Sequence, residues 1–128
     1  MAIKISDLSV GDWVEYEGLH YPITFVGYGE GGDGSLVNLI RPDLSCFTCK
    51  ISDIYPIPIT AEILEKNGFE QMAMGVTYRH NCGLEVTLYG DGWWHTIGLD
   101  EYSMHHIEGV HQLQHLLRLF GVDKEIYL

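Results

Sequence analysis

Several groups of side chains in this sequence have the types and spacing to do chemistry. Cys46-Phe47-Thr48-Cys49 sets two thiols at the separation at which two thiolates can share a zinc ion, and His80 with Cys82 would complete a tetrahedral set. A zinc ribbon holds such a pair on a tight knuckle, whereas this pair lies in a β-prone run that points Cys46 and Cys49 to opposite faces. The plainer expectation is small apolar cysteines in a sheet. A thioredoxin-type redox role fits less well, because no helix N-terminus follows to lower a thiol pKa. His111 and His115 stand four residues apart, the spacing at which one helix face offers two imidazoles to one metal, and His105 and His106 precede them. Gln112 occupies the place of the glutamate that would act as general base in a metalloprotease helix, so catalysis by that route is not expected. On a helical wheel the two histidines fall opposite the apolar arc, near Gln114 and Arg118, which predicts a solvated polar face.

A third group is aromatic. Trp93 and Trp94 are adjacent, so a strand would turn one inward and the other outward, with Tyr78, Tyr89 and Tyr102 available to the same surface. An exposed tryptophan among tyrosines suits a protein interface or a platform for a base or sugar ring, and a nucleotide-like ligand would draw its phosphate contact from Arg41, Arg79 or Arg118, the whole arginine supply. The loop Gly27 to Gly34 could cradle a phosphate with its N–H groups, but it lacks a Gly-Lys-Ser/Thr ending and contains Glu30 and Asp33. It reads as a hairpin tip. Paired acids such as Asp100-Glu101 carry little information in so acidic a chain, and no Gly-x-Ser-x-Gly elbow occurs.

The elements that must position these groups are short. The chain has 128 residues, 46% of them hydrophobic, which suits one compact domain or two small ones sharing a core. Seven basic residues against 18 acidic give a net charge of −11, a field that repels phosphate backbones and makes nucleic acid an unexpected partner. No apolar run approaches the length that crosses a bilayer, and the first residues lack the pattern of a signal peptide, so a cytoplasmic location is expected, with no membrane partner. Three cysteines, an odd number, are then expected as reduced thiols. No cofactor is expected.

Residues 1–59 divide into β-prone pieces at Ile3 to Ile5, Asp12 to Tyr16, Tyr21 to Tyr28, Ser35 to Ile40 and Cys46 to Ile51, with turns at Gly11-Asp12 and Glu17-Gly18. Leu8-Ser9-Val10-Gly11-Asp12-Trp13-Val14 resembles the opening strand and turn of SH3-like small barrels. Pro56 and Pro58 exclude a central strand and mark a connector. Residues 60–128 then hold a two-turn helix from Ala61 to Lys66 capped by Thr60 and stopped by Asn67-Gly68. A β-meander follows, over Met72 to His80, Leu84 to Tyr89 and Trp93 to Leu99, with turns at Asn81-Cys82-Gly83 and Gly90-Asp91-Gly92. Alternation in Leu84-Glu85-Val86-Thr87-Leu88 predicts the leucines and valine inside and Glu85 and Thr87 outside. A final helix from Glu108 to Phe120 is expected to bury Val110, Leu113, Leu116, Leu117 and Phe120, with Gly121 as its stop, and Lys124 to Leu128 is short and β-prone enough for an edge strand. The fold class expected is α+β, mostly β: an SH3-like barrel, then a meander packed by one C-terminal helix.

Two stretches carry a further resemblance. Ile51 to Thr60 running into Glu62 to Phe69, and Val110 to His115 followed by Gly121 to Ile126, resemble small proteins of phages and mobile elements of Bacteroides-type gut bacteria. The likeness covers the connector and the C-terminal third. It implies a setting, an accessory gene product acting in a bacterial cytoplasm, and implies no catalytic residue. The function expected is a non-catalytic protein that binds a host protein through a tyrosine- and tryptophan-containing surface, with inhibition of a host or defence function as the purpose and homo-oligomerisation left open. The alternative is a small-molecule binder that sequesters a nucleotide-like signal. A zinc-binding protein or metal-dependent enzyme is the third reading.

Overall fold

The computed structural model describes residues 3, 8–28, 35–72, 75–90, 93–97, 106–122 and 124–128. Among the described residues the chain is mostly β, with two antiparallel five-stranded sheets and one C-terminal helix, and it forms two compact units, Met1–Ile57 and Pro58–Leu128.

Unit 1 contains β1 (Trp13–Tyr16), β2 (Leu19–Tyr28), β3 (Ser35–Ile40), β4 (Cys46–Lys50), a 3-10 turn (Ile51–Asp53) and β5 (Ile54–Tyr55), arranged β4-β3-β2-β1-β5. The two-residue turn Glu17-Gly18 sets the first register, Tyr16 opposite Leu19 and Val14 opposite Tyr21. Both turn residues have positive φ, 50° and 79°, as the hairpin turn that matches strand twist requires. Upstream, the Asp12 carboxylate accepts the Ser9 N–H at 2.8 Å while the Gly11 N–H reaches the Ile23 carbonyl at 2.8 Å, so the Gly-Asp phrase does make a tight turn, exposed at Ser9 to Gly11 with Asp12 buried beneath it. A bulge at Thr24 lets Ile23 pair with Leu39 and Phe25 with Asn38. The extra residue turns Phe25 outward and Val26 inward and bends β2. Val14, Ile23, Val37, Leu39, Cys49 and Ile54 belong to the core of the unit. Among the described residues β4 and β5 each pair on one side only, so the sheet is not closed.

Unit 2 contains α1 (Ala61–Lys66), β6 (Phe69–Gln71), β7 (Thr77–His80), β8 (Glu85–Leu88), β9 (Trp94–Ile97), β10 (His106–Ile107) and α2 (Val110–Leu119), and its sheet is a meander in chain order. Thr60 caps α1 as its type dictates, its hydroxyl accepting the Ile63 N–H at 3.2 Å. Behind α2, Gly121 at φ 80° closes a Schellman motif: its N–H reaches the Arg118 carbonyl and that of Val122 reaches Leu117. One inner face collects Phe69, Tyr78, Leu84, Val86, Trp94 and Ile107.

Four expectations are corrected here. The strand expected at Met72 to His80 begins only at Thr77, as β7, and pairs with an earlier strand that was not expected, β6, because Gly75 at φ 76° turns the chain between them, its N–H bonded to the Met72 carbonyl at 3.0 Å. In β8, Thr87 is buried and Leu88 is 38% exposed; Thr87 keeps a hydroxyl partner in Thr77 at 3.0 Å, which removes the cost of burying it, and Leu88 lies at the strand end. Helix α2 is rotated from its apolar arc: His111 and Gln114 are buried with Val110, Leu113 and Leu117, whereas Leu116 and Phe120 are half-buried and Leu119 is exposed. Residues 124–128 form no strand and are held instead by Asn67, whose side-chain amide donates to the Tyr127 carbonyl and accepts the Tyr127 N–H, each at 2.7 Å. The expected strand at Ile3 to Ile5 apart from Ile3, most of the glycine loop, the Asp91-Gly92 half of a turn, Asp100-Glu101, Tyr102 and His105 lie outside the described residues.

Candidate functional site

The metal-spacing residues fall as follows. Cys46 on β4 is exposed and Cys49 buried, the opposite faces that strand alternation demands. Burial, then the Asp53 carboxylate, pushes the Cys49 thiol up to about 11, so it stays protonated at neutral pH and is poorly disposed to bind a metal. The His80 Nδ1 is occupied, accepting the Cys82 backbone N–H at 3.0 Å. His111 and His115 have ring centroids 6.3 Å apart at 89°, and His111, only 1% exposed, is a core residue instead of part of a solvated face. Among the described residues no group of three or more histidine, cysteine or acidic side chains assembles to hold a metal.

The aromatic surface expected in unit 2 is divided by the fold. Trp93 is 41% exposed, but Trp94 is core: its indole N–H donates to the Ile59 carbonyl at 3.0 Å and its ring meets Tyr78 edge-on at 5.7 Å. Tyr78, 5% exposed, is therefore structural and not part of a platform. Tyr89 is half-buried with its ring centroid 4.4 Å from that of His95. Arg79 is exposed and pairs with Glu85 at 3.6 Å, and Arg118 is exposed on α2.

A different aromatic patch, in unit 1, was not singled out from the sequence. The β1–β2 register puts Tyr16 and Tyr21 on the face of Val14, and the β3–β4 register puts Phe47 on the face of Leu39. The rings converge at that end of the core, with centroids 5.4 Å (Tyr16–Phe47), 5.1 Å (Tyr21–Phe47) and 6.5 Å (Tyr16–Tyr21) apart, all half-buried. The Arg41 guanidinium lies over the Phe47 ring at 4.3 Å. Beside it the β3–β4 loop is fixed by its own bonds. The Arg41 N–H reaches the Ser45 carbonyl at 2.8 Å, the Leu44 N–H reaches Arg41 at 2.9 Å, and Asp43 accepts from the Ser45 hydroxyl and N–H. Those Ser45 bonds hold the Asp43 carboxyl below its usual range. This frame keeps Leu44 at φ 71°, a conformation uncommon for leucine, and leaves it 77% exposed. Glu17, beside Tyr16, is the main cause that raises the tyrosine's pKa, so the rim carries negative charge. A signal for the patch was present: a two-residue turn after Tyr16 makes it a diagonal neighbour of Tyr21.

Unit 2 carries a groove of about 540 Å³ between the end of α1, His80-Asn81 and the chain segment after α2. Lys66, His80 and Lys124 are among its polar lining residues, and Leu117, Val122 and Ile126 among its apolar ones. Desolvation, then the Lys124 charge, lowers the His80 pKa, so the ring is neutral at pH 7. With Nδ1 accepting from Cys82, the ring proton sits on Nε2. Gly68, at φ 89°, leaves open the space that a Cβ would take 3.3 Å from that nitrogen. A second cavity of about 400 Å³ shares Gly68, His80 and Asn81 and adds Arg79.

No protein-family model matches the chain, and neither the curated proteins nor the solved structures contain a match. No helix among the described residues is long and apolar enough to cross a membrane.

Proposed function

We propose that this chain is a non-catalytic binding protein that engages a host protein through unit 1. The observation that carries the reading is the β3–β4 tip: an exposed leucine held in a disfavoured backbone conformation, next to an arginine stacked on a half-buried aromatic cluster. Aromatic and arginine anchors, with an apolar residue presented on a rigid loop, are the composition that concentrates binding energy at protein interfaces. Pre-organisation reduces the entropy lost on association. Strain at an exposed apolar side chain has no evident use in the isolated fold. Unit 1 holds three basic and eight acidic residues, so the field favours a partner with a basic surface and speeds the encounter.

The strand order, with the last strand returning beside the first, and the bulge that bends β2 support an SH3-like small barrel for this unit. The setting that fits is a phage or mobile-element accessory protein working in a bacterial cytoplasm against a host or defence function.

The test is affinity capture from a Bacteroides lysate with wild type, Arg41→Glu and Leu44→Glu, followed by titration of the captured protein in purified form. Both side chains are exposed, so the variants keep the core. Each is expected to weaken binding by about tenfold or more. A partner bound equally well by all three proteins would place the interface elsewhere.

A further inference from the structure

We propose that the groove of unit 2 binds a small molecule carrying an oxyanion, a carboxylate or a phosphate, on an apolar body, with the His80 Nε2–H and the Lys124 ammonium as the anion's donors. The inference is independent of the protein-binding reading of unit 1.

Placement of charge is the first argument. Unit 2 has ten acidic residues and only four basic ones, Lys66, Arg79, Arg118 and Lys124. All four line this groove or a cavity that shares lining residues with it. Lys66 has Glu62 at 3.1 Å and Arg79 has Glu85 at 3.6 Å, whereas Lys124 has no acid within ion-pair distance among the described residues. Two helices end at the groove, and free carbonyls there would favour a cation. Most of these carbonyls are occupied: Leu64 and Glu65 receive the N–H groups of Asn67 and Gly68, Ile63 receives the Asn67 amide, and Leu117 and Arg118 receive Val122 and Gly121. Glu125 is the one acid on the lining among the described residues.

The second argument is the histidine. A ring whose Nδ1 is taken by a backbone N–H can only donate from Nε2, and glycine at position 68 keeps the space before that atom open. The Phe69 ring, tilted against the imidazole with centroids 5.2 Å apart, holds its plane. A fixed donor beside a flexible cation is a chemically sufficient anion site, and Leu117, Val122 and Ile126 give the rest of the ligand an apolar wall. The groove volume lies in the usual range for a small-molecule site.

The experiment is a two-dimensional amide NMR titration of the full chain at constant ionic strength, with hexanoate, monohexyl phosphate and hexanol as probes. Saturable shifts at Gly68, Asn81 and Val122 with at least one of the two anions, and none with hexanol, are expected. Which anion binds tells carboxylate from phosphate. Lys124→Met, at an exposed position, is expected to weaken the anion by about threefold, and Lys66→Met, at the rim, by less. Absence of saturable shifts with both anions overturns the proposal. So does equal binding of hexanol, which would make the groove merely apolar, or unchanged affinity in Lys124→Met.

Discussion

Replacing Asn67 by alanine is expected to loosen the last five residues and cost unit 2 about 2 kcal/mol, working from hydrogen bonds worth about 0.5–1.5 kcal/mol each. The side chain makes three such bonds at 2.7 Å, donating to the carbonyls of Ile63 and Tyr127 and accepting the Tyr127 N–H. Two of the three lie at the exposed surface, where water replaces part of what is lost, so a figure in the lower half of the summed range applies. Full detachment would also expose Ile126, now buried, at a further cost of about 1.5–3 kcal/mol. Asn67→Asp separates this clamp from simple helix capping. It keeps an acceptor for the Tyr127 N–H but loses both donors and sets a carboxylate against two carbonyls, so it should cost at least as much as alanine. Urea unfolding followed by tryptophan fluorescence gives the energy, and hydrogen exchange at the Tyr127 amide reports the clamp itself. A loss below about 0.5 kcal/mol, within the range of ordinary surface substitutions, with Tyr127 protection unchanged, would refute the reasoning and leave Ile126 as the sole anchor.

Two further outcomes follow from titration. At pH 8, a Cys49 thiol with a pKa of about 11 is ionised to about one part in a thousand, so mass spectrometry after brief alkylation should show Cys46 labelled well before Cys49. Equal labelling would place Cys49 at the surface. His80 is neutral in the folded state below the ordinary histidine pKa of 6.5, so the unfolded chain binds more protons in that window, and stability should fall as pH drops from 6.5 through the folded-state pKa. His80→Gln should flatten this acid-side loss in a series of urea midpoints, and an unaltered pH profile would show that the ring is not held neutral.

Local chemistry was legible in the sequence wherever one or two residues decide a conformation. Thr60 as a cap, Asn67-Gly68 and Gly121 as stops, Glu17-Gly18 as a hairpin turn and the opposed faces of Cys46 and Cys49 each depend on neighbours within a few positions, and each is where it was expected. The mostly β composition followed in the same way. Periodicity within one element was less reliable: Leu88 and Leu116 read as core, yet Thr87 and His111 are more buried, because the face an element hides depends on what packs against it and on whether a polar group finds a partner there. Convergence between distant residues was beyond the sequence. Tyr16, Tyr21 and Phe47 meet only because two registers and a bulge bring three strands to one end of a core, and Lys66, His80 and Lys124 share a groove only because Asn67 ties the chain back 60 residues later. Charge, helix caps and stops and the Glu17-Gly18 hairpin turn are thus fixed by neighbours in sequence, whereas the break at Gly75 goes with the pairing of β6 and β7, and the meeting of side chains across elements comes from packing and register between segments far apart in the chain.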